Sequence, residues 1–152
     1  MGAVTDAEYM EIALEEARKA LALGEVPVGA AVVQNGKVIA AAHNLRETEK
    51  NALAHAETRA IDIACKALGG WRLPDCTLYV TLEPCLMCAG AILNARIDRV
   101  VYGAADPTSG ALGSKLDARG AGLNHTLSVT GGVSQDACAA LLKDFFRALR
   151  KK

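Results

Sequence analysis

Apolar residues first recur at helical spacing, with Met10, Ala13, Leu14, Ala17 and Leu21 falling on one face. Thr5 stands before them as an N-cap and Gly24 after them as a stop, which predicts a helix from Thr5 to about Leu23. The pattern then shortens. Val28 to Gln34 and Lys37 to Ala42 read as strands flanking Asn35-Gly36, the strongest short-range signal for a two-residue hairpin. A second helix is predicted from about His55 to Leu68, closed by Gly69-Gly70. Thr77 to Leu82 is rich in strand formers and runs straight into a helix expected to start at Pro84, since proline is favoured in a first turn. Val100-Val101-Tyr102 reads as a buried strand soon after, Leu127 to Val129 as a last short strand, and Ser134 to Lys152 as a final helix.

A strand, helix and strand at this separation form a right-handed crossover, so the Thr77 and Val100 strands should be parallel. The class is α/β, with three α/β/α layers around a mixed five-stranded sheet. The helices beginning near His55 and Pro84 should start at the same sheet edge.

Composition adds bounds. At 152 residues and 51% hydrophobic, residues 1–152 are expected to form a single domain with a proper core, and there is no repeat or low-complexity tract. No apolar run approaches the roughly 20 residues of a membrane span, and no basic and apolar leader is present. Met1-Gly2 invites myristoylation, but Asp6 stands where that motif wants Ser or Thr. A cytoplasmic location without membrane association is expected. Five cysteines without regular pairing argue against a disulfide framework, and Cys65, Cys76 and Cys138 read as reduced, small hydrophobes. The formal net charge is zero, yet acids gather before Arg18 while Lys143, Arg147, Arg150, Lys151 and Lys152 face Asp144 alone in the last ten residues. Such polarity suits a phosphate-binding patch or a solvated helix end.

The chemistry sits in two short motifs. His55-Ala56-Glu57 and Pro84-Cys85-Leu86-Met87-Cys88 offer three zinc ligands, His55, Cys85 and Cys88, and one carboxylate, Glu57, that need not ligate. A catalytic zinc takes three protein ligands and leaves its fourth tetrahedral position to water. Two thiolates cancel the charge of the ion, so the water is acidified less and a nearby base is needed; Glu57 is that base. Residues three apart share a helix face, which suits Cys85 and Cys88. His55 and Glu57 are two apart and reach one centre only at the start of a helix. A structural zinc site would need a fourth ligand with similar local spacing, which neither His43 nor His125 supplies; both read as hydrogen-bonding or surface histidines. Gly110, Gly113 and Ser114-Lys115 do not match the spacing of a phosphate loop.

The His-x-Glu and Pro-Cys-x-x-Cys pair is the signature of zinc-dependent nucleobase deaminases, and the chain resembles that superfamily. Within it the closest likeness is to bacterial tRNA adenosine deaminases, along Glu25 to Ala30, Asn44, His55 to Glu57, Thr77 to Gly90, Arg99 to Gly103, Asp106 to Ser114 and Asp144 to Arg147. The resemblance implies a cytidine-deaminase-like fold, one zinc ion per subunit, and hydrolysis of the wobble adenosine of a tRNA anticodon loop to inosine by a zinc-activated water, with Glu57 as proton shuttle. It also implies a homodimer. Substrate contacts are implied for Val28, Asn44, Ala56, Glu83 and Asp106, and nucleic-acid contacts for Phe146, Arg147 and Arg150. The residues also admit bland readings: Asn44 and Asp106 as turn formers, Val28 as strand core, and Phe145-Phe146 as helix packing.

Asn51-Ala52-Leu53 departs from the Asp-Pro-Thr common in relatives, so the loop entering the site should be shaped differently. This departure and the neutral charge favour an alternative, a deaminase of a free base or nucleoside such as guanine, adenine or cytosine. Phe145-Phe146-Arg147 favours RNA. A zinc-stabilised interaction module without catalysis is the third possibility.

Overall fold

The computed structural model describes residues 4–123 and 125–151. Met1, Gly2 and Lys152, invoked above, lie outside them. The first helix, α1 (Asp6–Ala22), starts where Thr5 and Glu8 form a reciprocal capping box, a device that contributes about 1 kcal/mol. It ends at Leu23, with Gly24 at φ +79°. The hairpin strands are β1 (Gly29–Gln34) and β2 (Lys37–His43), and both turn residues take positive φ, Asn35 at 49° and Gly36 at 80°. Then follow α2 (Ala56–Leu68), β3 (Cys76–Leu82), α3 (Leu86–Asn94), β4 (Arg99–Ala104), β5 (Ser128–Thr130) and α4 (Gln135–Arg150). A short 3₁₀ turn at Ala118–Ala121 was not expected from the sequence pattern.

The five strands form one mixed sheet in the order β2-β1-β3-β4-β5. β1 pairs antiparallel with both β2 and β3, while β3, β4 and β5 are parallel, as the crossover spacing requires. Strand alternation sorts the core into two layers. Val32, Leu78, Val80 and Val100 pack with Ala60, Ile92 and Ile97 under α2 and α3. Val33, Tyr79 and Val101 pack with Met10, Leu14 and Cys138 under α1 and α4.

The α1 layer seats unusually close because its buried face is built from Ala13, Ala17 and Ala20. A Cβ at Gly29 would overlap the Ala13 carbonyl oxygen and lie 2.5 Å from the Ala17 backbone nitrogen and 2.8 Å from Glu16 Cβ. Two of these three neighbours are backbone and cannot swing aside. Gly29→Ala is therefore expected to cost about 3 kcal/mol or more of folding stability, read as a lowered denaturation midpoint with an unchanged denaturant slope.

One geometric result positions everything else. β2 and β3 each lie antiparallel to β1, so their C-terminal ends share one edge of the sheet, which the parallel β4 also reaches. The segments leaving β2, β3 and β4 therefore converge there, at the carboxyl ends of the strands, where α/β sheets place their ligands.

Candidate active site

His55 is the N-cap of α2 and Cys85 the N-cap of α3, both with extended backbone and neither capping its helix with its side chain. The sequence pattern put Pro84 in the first turn. The structure instead places it just before the cap, because Cys85 is still extended and only Leu86 begins the helix. Cys88 is then the third helical residue, close to Cys85, and the positive end of the helix lies at both sulfurs.

The two helix starts face each other. The Nδ1 of His55 lies 3.7 Å from Cys85 Sγ and 3.5 Å from Cys88 Sγ, and the three potential ligand atoms lie within 4.8 Å of one another. Bonds of about 2.3 Å to sulfur and about 2.05 Å to nitrogen at a tetrahedral angle require N···S separations of roughly 3.6 Å, so the spacing fits zinc. Among the described residues this is the single group of three or more His, Cys, Asp or Glu side chains so gathered.

Glu57, the second residue of α2, is buried against this group. Burial pushes its carboxyl up to about 7, against the pull of its own backbone N–H and of His55. The Cys88 thiol and then His55 pull Cys85 down to about 4, which makes it a thiolate. Cys85 in turn raises the His55 imidazole, and together with burial raises the Cys88 thiol far above its usual range. One thiolate, an imidazole and a carboxyl poised near neutrality thus share a small volume.

These groups line one side of a cavity of about 550 Å³. Val28, Asn44, Ala56, Glu83, Asp106 and Phe146, all named from the sequence, line it too, as do Leu82, Thr108 and Ser109 from the segments that carry the likeness, and Arg46 and Leu142, which no motif marked. Asn44 donates to the Val26 carbonyl at 3.3 Å and accepts from the Arg46 N–H at 3.1 Å, leaving one amide proton and one lone pair for a ligand. Asp106 spends its carboxylate on its own loop, accepting from the N–H groups of Thr108 and Ser109 and from Ser109 Oγ. Glu83 does not aim a free oxygen at the cavity. It accepts from the Asp106 N–H at 3.1 Å, the Leu112 N–H at 3.0 Å, the Ser114 N–H at 3.1 Å and the Ser114 hydroxyl.

Arg147 and Arg150 stand outside the cavity, on an adjoining groove of α4 with Lys143, and the two spaces share Leu142 and Phe146. His43 pairs with Glu16 at 2.9 Å and His125 with the Ile97 carbonyl, so both are hydrogen-bonding histidines away from the cluster. All five cysteines are free. In the atypical entry loop, Asn51 Oδ1 accepts from the Leu53 N–H at 2.9 Å and the Leu53 carbonyl accepts from Thr58 Oγ1, a turn that delivers His55 to its cap position.

An α/β/α sandwich with His-x-Glu at one helix start facing Pro-Cys-x-x-Cys at another defines the class of deaminases with the cytidine-deaminase-like fold. The chain belongs to the MafB19-like deaminase family, whose model matches residues 4–150. It is 53% identical to the tRNA-specific adenosine deaminase of Bacillus subtilis over 148 residues, 97% of this chain and 92% of that one. Identity to the enzyme of the same name from Haemophilus influenzae is 46% over 152 residues, 97% of this chain and 86% of the relative. In three dimensions it is similar to a structure solved in work on A-to-I editing by tRNA:A34 deaminases at the wobble position of transfer RNA, with a TM-score of 0.82, 45% identity, and coverage of 88% of this chain and 98% of that one. A guanine deaminase from Nitrosomonas europaea matches at a TM-score of 0.81 and 28% identity, over 95% of this chain and 86% of its own.

Proposed function

We propose that this protein deaminates adenosine to inosine at the wobble position of a tRNA anticodon, as a cytoplasmic homodimer holding one zinc ion per subunit. The observation that carries this reading is the His55, Cys85 and Cys88 group with Glu57 beside a cavity that shares Leu142 and Phe146 with the cationic groove of Lys143, Arg147 and Arg150. The match to relatives named tRNA-specific adenosine deaminase supports the RNA substrate over a free base.

His55, Cys85 and Cys88 would hold zinc, which would supply a Lewis acid for a water whose proton a nearby base helps to remove. The protein's own groups do the rest. Glu57 takes a proton from the attacking water, delivers it to the ring nitrogen of adenine, and carries the second proton to the departing ammonia, so adenosine and water become inosine and ammonia. A carboxyl poised near neutrality suits proton traffic in both directions. Asn44 orients the nucleoside with its spare donor and acceptor, and Val28 packs on the base. A stacked base cannot reach this floor, so the substrate must present a splayed loop nucleotide. The neighbouring phosphates then fall on the α4 cations.

Leu53 and Leu86 are 63% and 59% exposed, each within two residues of a proposed ligand. Apolar surface of this kind beside the site is what a second subunit would cover.

The test is direct. Zinc-loaded protein is incubated with an anticodon stem-loop carrying the wobble adenosine and, separately, with free guanine, adenine, cytosine and their nucleosides, while inosine and ammonia are measured. Inosine in the RNA is expected; turnover of guanine without RNA activity would overturn the substrate. Arg147→Ala and Arg150→Ala, both at exposed positions, should raise KM for the stem-loop. Each should also flatten the logarithmic salt dependence by roughly 0.7, the increment for one phosphate contact on single-stranded nucleic acid.

A further inference from the structure

Two buried carboxylates flank the cavity, and the proton traffic proposed for Glu57 uses neither. Glu25 is 1% exposed and Glu83 2% exposed. Glu25 precedes β1 and Glu83 follows β3; since those strands run antiparallel, both acids arrive at the same edge of the sheet. Gly29 N–H, donating to Thr81 Oγ1 at 3.2 Å, ties the two approaches together.

Each acid is spent on a different loop. Glu25 accepts from the backbone N–H groups of Glu47 at 3.1 Å and Thr48 at 2.6 Å, in the loop that carries Arg46 along one wall of the cavity. Glu83 accepts from three backbone N–H groups and one hydroxyl of residues 106–114, the loop that carries Asp106, Thr108 and Ser109 along another wall. With two donors on each of its oxygens, Glu83 has no ready acceptor position left for substrate. Its loop wraps so closely that a Cβ at Gly110 would collide with the Glu83 carboxyl carbon and lie 2.6 Å from Oε1. Bare backbone is required there, which marks a fitted cradle around the carboxylate.

We infer that Glu25 and Glu83 are a matched pair of positioning residues, each anchoring one wall of the substrate cavity through backbone N–H groups, and that neither contacts the substrate. Charge-assisted bonds to several N–H groups are the strong kind, and buried N–H groups deprived of their acceptor must open to water. Substitution by glutamine keeps the shape but turns an amide NH₂ toward N–H donors, so that loop alone is released. Loose walls bind the nucleotide poorly, while the group at the floor of the site stays assembled. The kinetic part of this inference rests on the RNA reading above; the structural part does not.

The experiment combines amide hydrogen exchange with steady-state kinetics on zinc-loaded full-length protein. Glu83→Gln can keep its remaining oxygen on the Leu112 and Ser114 N–H groups, so it is expected to speed exchange at Asp106, whose N–H then faces the amide NH₂, at least tenfold without changing Glu47 and Thr48; Glu25→Gln, which can keep only one of its two donors, is expected to speed exchange at Glu47 or Thr48 and to leave Asp106 unchanged. With the anticodon stem-loop, each variant should raise KM at least tenfold while kcat falls less than threefold. Ser114→Ala, which removes one of the four Glu83 bonds and leaves every backbone partner, is expected to fold and to show a smaller rise in KM; it carries the kinetic test if Glu83→Gln does not fold. Unchanged exchange at the named amides overturns the anchoring, and a kcat collapse at constant KM overturns the positioning role in favour of direct chemistry. If wild-type protein shows no RNA activity but the exchange pattern appears as stated, the substrate reading fails and the anchors stand.

Discussion

Glu57→Gln is expected to yield a folded, zinc-loaded protein whose kcat is lower by about 10²- to 10⁴-fold, the span of a positioned general acid–base. The upper end is expected because one carboxyl serves two proton transfers. Glutamine matches glutamate in shape but cannot carry a proton at neutral pH. Burial already disfavours the charged form of this side chain, raising its carboxyl to about 7, so a neutral amide should fold without penalty. Circular dichroism and a zinc assay establish that the variant is intact, and single-turnover deamination reads the loss. More than a tenth of wild-type kcat in an intact variant would remove Glu57 from the chemistry. A non-catalytic zinc module predicts the same intact protein with an undiminished binding partner, so the activity assay separates the two.

The second large effect is expected at the sulfur ligands. Cys88 is fully buried and Cys85 half-buried, and each supplies one of three proposed bonds. Cys85→Ala and Cys88→Ala should each lose the zinc and with it more than about 10⁴-fold of activity, since removing the ion removes the acidified water outright. Chelation of the unmodified protein should do the same reversibly, with activity returning on added zinc and the melting temperature rising as the folded form gains a ligand. Cys65→Ala, outside the cluster, should change neither zinc content nor rate. Full zinc occupancy in Cys88→Ala would refute the ligand set.

The readable parts of this chain were those fixed by short spacings. Thr5 with Glu8, Asn35-Gly36 and Gly69 act within three or four residues, so the start of α1, the β1–β2 turn and the end of α2 fell where local chemistry put them. The two candidate metal-site motifs were legible for the same reason, since each is a helix start carrying the residue types that zinc takes. Pro84 shows the limit. Whether a proline opens a first turn or stands one residue outside it depends on the φ and ψ of Cys85, and Cys85 is held extended where the chain leaves β3 to face His55.

Asp106 and Glu83 were harder still. Both line the cavity, but their oxygens are occupied by the chain itself. Sequence tells that a carboxylate is present and not which donor reaches it first. Arg46 and Leu142 lacked any motif and come to the cavity through the loop after β2 and through α4.

The sequence by itself determined the α/β class, the order of helices and strands, and the candidate ligands and base, because these follow from caps, periodicity and residue chemistry within a few positions. Tertiary structure alone decided that the C-terminal ends of β2, β3 and β4 meet, that Glu57 is buried at the cavity wall, and that Glu25 and Glu83 fasten loops 22 to 31 positions away. Such contacts depend on which strand lies beside which. That choice is made by burying both faces of the whole sheet at once, and no local window of the chain contains it.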